Sequence, residues 1–186
     1  MHVLTGGKER EKEPRYTSGR NFYSSFEEIS LPGNFCSEIE GTFVNLSQLQ
    51  LAIFCLYRPI PPDLKAAKLL EAKEAICSVV DLHCMSYLNQ EIIVVGDFNR
   101  FDVKSLESEL FLTDIVSKPT RGPNILDHVL ISEKLKAFYS PSTVSYNAPI
   151  GNSDHLTLQI ETDCKNISTQ FGHIKCAISA NRIWKC

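Results

Sequence analysis

The chain has 186 residues, of which 43% are hydrophobic, 22% charged and 9% aromatic, which excludes a disordered polymer and supplies the core of one ordinary domain rather than two. Nineteen Lys and Arg against 22 Asp and Glu leave a net charge of −3 and a pI near 6.0, so no overall positive field exists and any nucleic-acid contact must be local. The longest apolar stretch, Leu49 to Tyr57, is interrupted by Gln50 and falls far short of the roughly 20 residues that a membrane-spanning helix needs.

Residues 1–37 are polar, with the mixed-charge run Lys8 to Glu13 and Pro32-Gly33, and they predict a poorly ordered entry segment. No apolar leader opens the chain, which points inside the cell, to nucleus or cytoplasm. The seven cysteines, Cys36, Cys55, Cys77, Cys84, Cys164, Cys176 and Cys186, are odd in number and form no C-x-x-C pair, the pattern of reduced thiols. Cys164, His173, Cys176 and Cys186 have no finger-like spacing, so a Zn²⁺ set is not expected from them.

From Glu38 onward the pattern becomes that of a folded domain, taken as 38–162. Ile39, Gly41 and Phe43, then Leu49 to Tyr57, predict two strands joined around Asn45 to Ser47, the second apolar on both faces and therefore central in a covered sheet. Pro59 and Pro61-Pro62 stop it, Asp63 is placed to cap a helix, and Leu69, Ile76, Val80, His83 and Tyr87 give that helix an apolar stripe ending before Asn89. Glu91 to Gly96 is a second buried strand, so strand, helix, strand follow one another in the α/β manner. A short helix is predicted over Val103 to Leu112, and strands over Asn124 to Ser132, Val144 to Tyr146 and His155 to Ile160. The tail 163–186 has no assignable pattern.

Chemistry-bearing residues gather at strand ends. Gly96-Asp97-Phe98-Asn99 closes the second buried strand, and in an extended segment Asp97 and Asn99 would face one side together. In Asn124-Ile125-Leu126-Asp127-His128, Asp127 sits in an apolar strand and needs a partner, for which an imidazole is natural. His128 should point to the opposite face and serve the core, and His83, on the helix stripe, should be packed rather than a ligand. Gly151-Asn152-Ser153-Asp154-His155 places Asp154 and His155 at a strand mouth. Arg100, Lys104, Lys118 and Arg121 are scattered cations that a phosphate backbone could meet.

The ordered series Tyr57-Arg58-Pro59, Gly-Asp-Phe-Asn, Leu-Asp-His and Ser-Asp-His, with the Pro119-Thr120-Arg121-Gly122 turn, resembles the endonuclease/exonuclease/phosphatase superfamily. Within it, the series is similar to the apurinic/apyrimidinic endonuclease-like domain of non-LTR retrotransposons, over roughly Glu38 to Glu161. The resemblance implies a deoxyribonuclease I-like, four-layered α/β sandwich and Mg²⁺-dependent cleavage of phosphodiester bonds in DNA, with Mn²⁺ as a substitute metal. By motif, Asp97 would activate or position the attacking water and Asn99 would hold that water or a phosphate oxygen. Asp127 would orient His155, whose imidazole would stabilise charge on the phosphate, and Asp154 would help bind the metal. Tyr57 and Arg58 would touch the phosphate.

The family's early strands, with a metal-orienting Asn and a Gln-Glu pair whose Glu binds Mg²⁺, have no counterpart in 1–37. Two expectations follow from that departure. The sandwich should be incomplete at its N-terminal side, leaving an uncovered sheet edge open to self-association. Nuclease activity should be weak or absent, so a non-catalytic remnant acting as a binding module, or having no function, stands beside the enzyme. A phosphatase of the same superfamily shares the site and is the third reading.

Overall fold

The computed structural model describes residues 39–59, 66–161 and 176–178, the last by backbone alone. The entry segment 1–37, the Asp63 cap and nearly all of the tail lie outside the described residues.

The two expected first strands are β1 (Glu40–Leu46) and β2 (Leu51–Tyr57), antiparallel, with Leu46 opposite Leu51 and Glu40 opposite Tyr57. The second begins two residues later than its apolar run because Ser47–Leu49 coils into a 3-10 turn that Gln50 ends in a left-handed conformation (φ 49°). Helix α1 (Ala66–Ser86) buries Ala72, Ile76, Cys77, Val80 and His83, a stripe at helical spacing that lies on the sheet. Tyr87 falls just past the helix and remains 41% exposed, stacked on the His83 ring. The chain then enters β3 (Glu91–Asp97), parallel to β2, which completes the β-α-β unit.

Helix α2 (Val103–Leu110) follows, shorter than the sequence pattern suggests, because Phe111 turns left-handed (φ 53°) and Thr113–Asp114 forms a small strand, β4. Strand β5 (Asp127–Ile131) runs antiparallel to both β3 and β4, so the main sheet has the order β1-β2-β3-β5-β4. The remaining strands, β6 (Val144–Asn147), β7 (Thr157–Ile160) and β8 (Cys176–Ile178), form a second, antiparallel sheet in that order.

Alternation along the central strands divides the core in two. Ala52, Phe54, Leu56, Ile92 and Val94 face α1 and α2, whereas Leu51, Ile53, Ile93, Val95, Val129 and Ile131 face Val144, Leu158 and Ile160 of the small sheet. The described residues therefore form an α/β arrangement of helices, a five-stranded sheet and a second sheet. Gly96 is required where β3 crosses Leu56, because a Cβ there would collide with the Leu56 carbonyl oxygen.

Candidate functional site

At one end of the main sheet the apolar row facing the small sheet gives way to polar residues. Tyr57 is the register partner of Asp97 across β2 and β3, and Asp97 is the partner of Asp127 across β3 and β5. Asp97 continues the row of Ile93 and Val95, and Asp127 begins the row of Val129 and Ile131, so the period of two sends both carboxylates to the same face. Asp97 is 7% exposed and Asp127 3%. Burial, followed by the charge of Asp127, pushes the Asp97 carboxyl up to about 6, against the opposing pull of the Asn99 N–H, His155 and Arg121.

The imidazole comes from the other sheet. The His155 N–H donates to Ser153 Oγ (3.0 Å), which folds the approach to β7 and brings the ring between the two carboxylates. His155 Nδ1 donates to Asp127 Oδ2 at 2.8 Å. Its Nε2 lies 3.9 Å from Asp97 Oδ2 and 3.9 Å from Asp154 Oδ1, within ion-pair range of both. With Nδ1 committed to Asp127, Nε2 is the ring atom placed to meet a ligand in the gap between Asp97 and Asp154. Asp97, Asp127 and His155 each offer a ligand atom within 4.8 Å of the others, a buried group that could hold a metal ion.

Asn99 reaches the site by a route other than strand alternation. The strand ends at Asp97, Asn99 is left-handed (φ 50°), and its N–H donates to Asp97 Oδ1 at 3.0 Å, an Asx-type turn that Asn tolerates better than most residues. Its Nδ2 donates to the Arg58 carbonyl at 2.6 Å, fixing the amide beside Asp97. Tyr57 borders the same end, and burial first, then the charges of Asp97 and Glu40, raise its phenol above the ordinary value.

Arg58 differs from its expected role. It is 1% exposed, with Nε and Nη2 buried and without hydrogen-bond partners, so its guanidinium is not presented to an incoming phosphate. The cation whose charge reaches Asp97 is Arg121. Asp154 also stands apart from the buried group: it is exposed at the rim, where its Oδ2 lies 2.6 Å from Arg121 Nη2. Of the other cations, Arg100 and Lys104 are exposed, and Lys118 lies 5.5 Å from the Tyr146 ring centroid.

Thr120 is a residue that motif reading passes over. It is fully buried, and its Oγ1 accepts from the N–H groups of Leu126 (3.0 Å) and Asp127 (3.2 Å). Its carbonyl accepts from the N–H of Leu156 at 2.8 Å. One residue, by its side chain and its carbonyl, thus ties the start of β5 to the residue after His155. Thr in a turn signals local hydrogen bonding in general, but nothing in the sequence indicates that these particular partners lie on two different sheets.

The two other histidines among the described residues behave as core residues. His128 Nδ1 meets Asp114 Oδ2 at 2.6 Å and packs edge-on to Phe98, away from the Asp97 face. His83 Nε2 donates to Gln90 Oε1 (2.8 Å) amid the rings of Phe43, Phe54 and Tyr87. Among the described residues no helix is long and apolar enough to cross a membrane. Comparison of the chain with protein-family models, with curated proteins and with solved structures finds no match.

Proposed function

We propose that this chain is an endonuclease-like domain, derived from a non-LTR retrotransposon, that hydrolyses phosphodiester bonds in DNA with Mg²⁺. The observation that carries the reading is the His155 ring, fixed by Asp127 on one nitrogen and facing Asp97 and Asp154 with the other. Hydrolysis of a phosphodiester needs a base for water, a donor for the charge that develops on phosphorus-bound oxygen, and a group that holds the donor still. Asp97 is the base, its raised proton affinity suiting it to take a proton from water near neutral pH. The doubly protonated His155 ring would donate from Nε2, and Asp127, paired with Nδ1, prevents the ring from turning. Asn99, held by the Arg58 carbonyl, positions the water or a phosphate oxygen beside Asp97.

The donor set suits a hard divalent cation at its carboxylates. Mg²⁺ takes few protein carboxylates and keeps waters, and Asp97 and Asp154 flank the gap, whereas Asp127 and His155 are engaged with each other at 2.8 Å. Asp154 would help hold Mg²⁺ together with waters and substrate oxygens, with Mn²⁺ as a substitute, leaving Asp97 as the base. When bound, the ion would polarise a phosphoryl oxygen and help a water ionise. The fold belonging to this reading is the four-layered sandwich, two sheets packed face to face with helices outside.

One observation favours a slow enzyme, or a binding module without catalysis. Among the described residues no Glu joins the buried carboxylate group, and one carboxylate fewer weakens the hold on Mg²⁺. Nicking of supercoiled plasmid by the purified chain, with Mg²⁺ and with chelator, tests the proposal beside Asp97→Ala and His155→Ala. Metal-dependent nicking that falls about 10²-fold or more in both variants supports it. A folded chain that binds DNA without nicking it establishes the binding module instead.

A further inference from the structure

Resting on the phosphodiester reading above, we infer that Arg121 is the phosphate-binding residue of the site and that Asp154 is the resting partner it leaves when a phosphate arrives. Four observations lead there. The Arg121 backbone is pinned: its N–H donates to the Asn124 carbonyl (3.1 Å) and its carbonyl accepts from the Asn124 N–H (3.0 Å). Gly122 turns left-handed (φ 53°) between them, and buried Thr120 anchors the turn to β5 and β7. The side chain therefore swings from a fixed base. Its Nη2 holds Asp154 Oδ2 at 2.6 Å, and the same carboxylate presents Oδ1 to His155 Nε2 at 3.9 Å, so the ion pair stands across the mouth of the Asp97–His155 gap.

The energetics favour exchange. The side chains of Arg121 and Asp154 are 42% and 63% exposed, and an ion pair so open to water contributes little. A phosphodiester oxygen offers the guanidinium a planar, charge-assisted match that is stronger than the pair it replaces. The exchange also releases Asp154 toward the gap. Arg58 does not compete for this role, since its guanidinium is buried.

The test is binding of a short labelled DNA duplex by fluorescence anisotropy, in chelator and across a salt series, with urea melts confirming that each variant folds. Arg121→Gln is expected to weaken binding roughly tenfold and to flatten the slope of log affinity against log salt by about 0.9, one lost phosphate contact. Asp154→Asn is expected to act in the opposite direction, tightening binding about threefold to tenfold because Arg121 no longer has a competing carboxylate. A rim pair that the duplex does not approach would give neither the opposed signs nor the slope. Weaker binding in Asp154→Asn, or an Arg121→Gln variant with unchanged affinity and slope, overturns the inference.

Should the unmodified chain fail to bind the duplex, inorganic phosphate followed by the NMR signal of Arg121 Nε–H separates the two ideas. A phosphate-induced shift, larger in Asp154→Asn, retains Arg121 as an anion site while removing the DNA reading. No shift in either chain overturns the inference as well.

Discussion

Asp97 and Asp127 are direct register partners across β3 and β5, two carboxylates held opposite each other in a buried row. Like charges opposed in a sheet oppose folding, and this pair has a measurable pH signature. Burial first, and the Asp127 charge second, push the Asp97 carboxyl from an ordinary 3.8 up to about 6 in the folded chain. Between those values the folded state keeps a proton that the unfolded state has lost, so stability decreases as pH rises through that window. Asp97→Asn, which preserves an acceptor for the Asn99 N–H, should be more stable than the unmodified chain at pH 7 by on the order of 1–3 kcal/mol. The gain should vanish near pH 4, as read from urea melts in chelator. If the variant is less stable at neutral pH, the carboxylates do not repel as their register requires.

His83 predicts the opposite sign on the acid side. Burial lowers its proton affinity below the ordinary 6.5, with the Gln90 hydrogen bond acting against that shift. As pH falls through 6.5 the unfolded state takes up a proton that the folded ring resists, so His83 makes the fold lose stability in acid. His83→Leu should flatten the decline of urea-melt stability as pH falls below about 6.5, at some cost in packing against Phe43 and Tyr87. An unchanged slope would show that the ring titrates normally.

The parts of the site that could be read from sequence are those governed by short-range rules. The continuous apolar runs of β2 and β3 identify covered strands, and alternation sends His128 to the face opposite Asp127, where it finds Asp114. Pairing of His155 with Asp127 was expected from motif order and is observed at 2.8 Å. The exceptions arise where the strand has ended. Asn99 converges on Asp97 through a left-handed turn and not through alternation, which no periodic pattern encodes. Arg58 stands next to Tyr57 in sequence yet its guanidinium is buried, and Arg121 reaches the site from a separate turn. Adjacency along the chain says little about which cation a fold brings to its carboxylates.

Thr120 should behave as a positioning residue. Thr120→Val keeps its shape but leaves the buried N–H groups of Leu126 and Asp127 without their acceptor. The loss is expected to cost about 1–3 kcal/mol and to loosen the Asp127–His155 bond. Thr120→Ser restores the hydroxyl and should recover most of both. NMR of the His155 ring provides the discriminating measurement: a displaced Nδ1–H resonance in Thr120→Val that Ser corrects shows an effect on the site, and an unmoved resonance restricts Thr120 to stability alone.

Gly96 connects the fold to the site most directly. Its α-carbon passes against the Leu56 carbonyl, and the next residue in each strand, Tyr57 and Asp97, forms the polar row. A methyl group at Gly96 has no room, since the atom it meets is backbone in the neighbouring strand. β2 and β3 must separate or shift register to admit it. Gly96→Ala is therefore expected to cost on the order of 4 kcal/mol or more and to abolish duplex binding together with the fold. The check is thermal melting followed by circular dichroism alongside the anisotropy assay. A stable Gly96→Ala chain that still binds DNA would mean that β2 and β3 are farther apart than this register places them, and the Tyr57, Asp97 and Asp127 row would lose its basis.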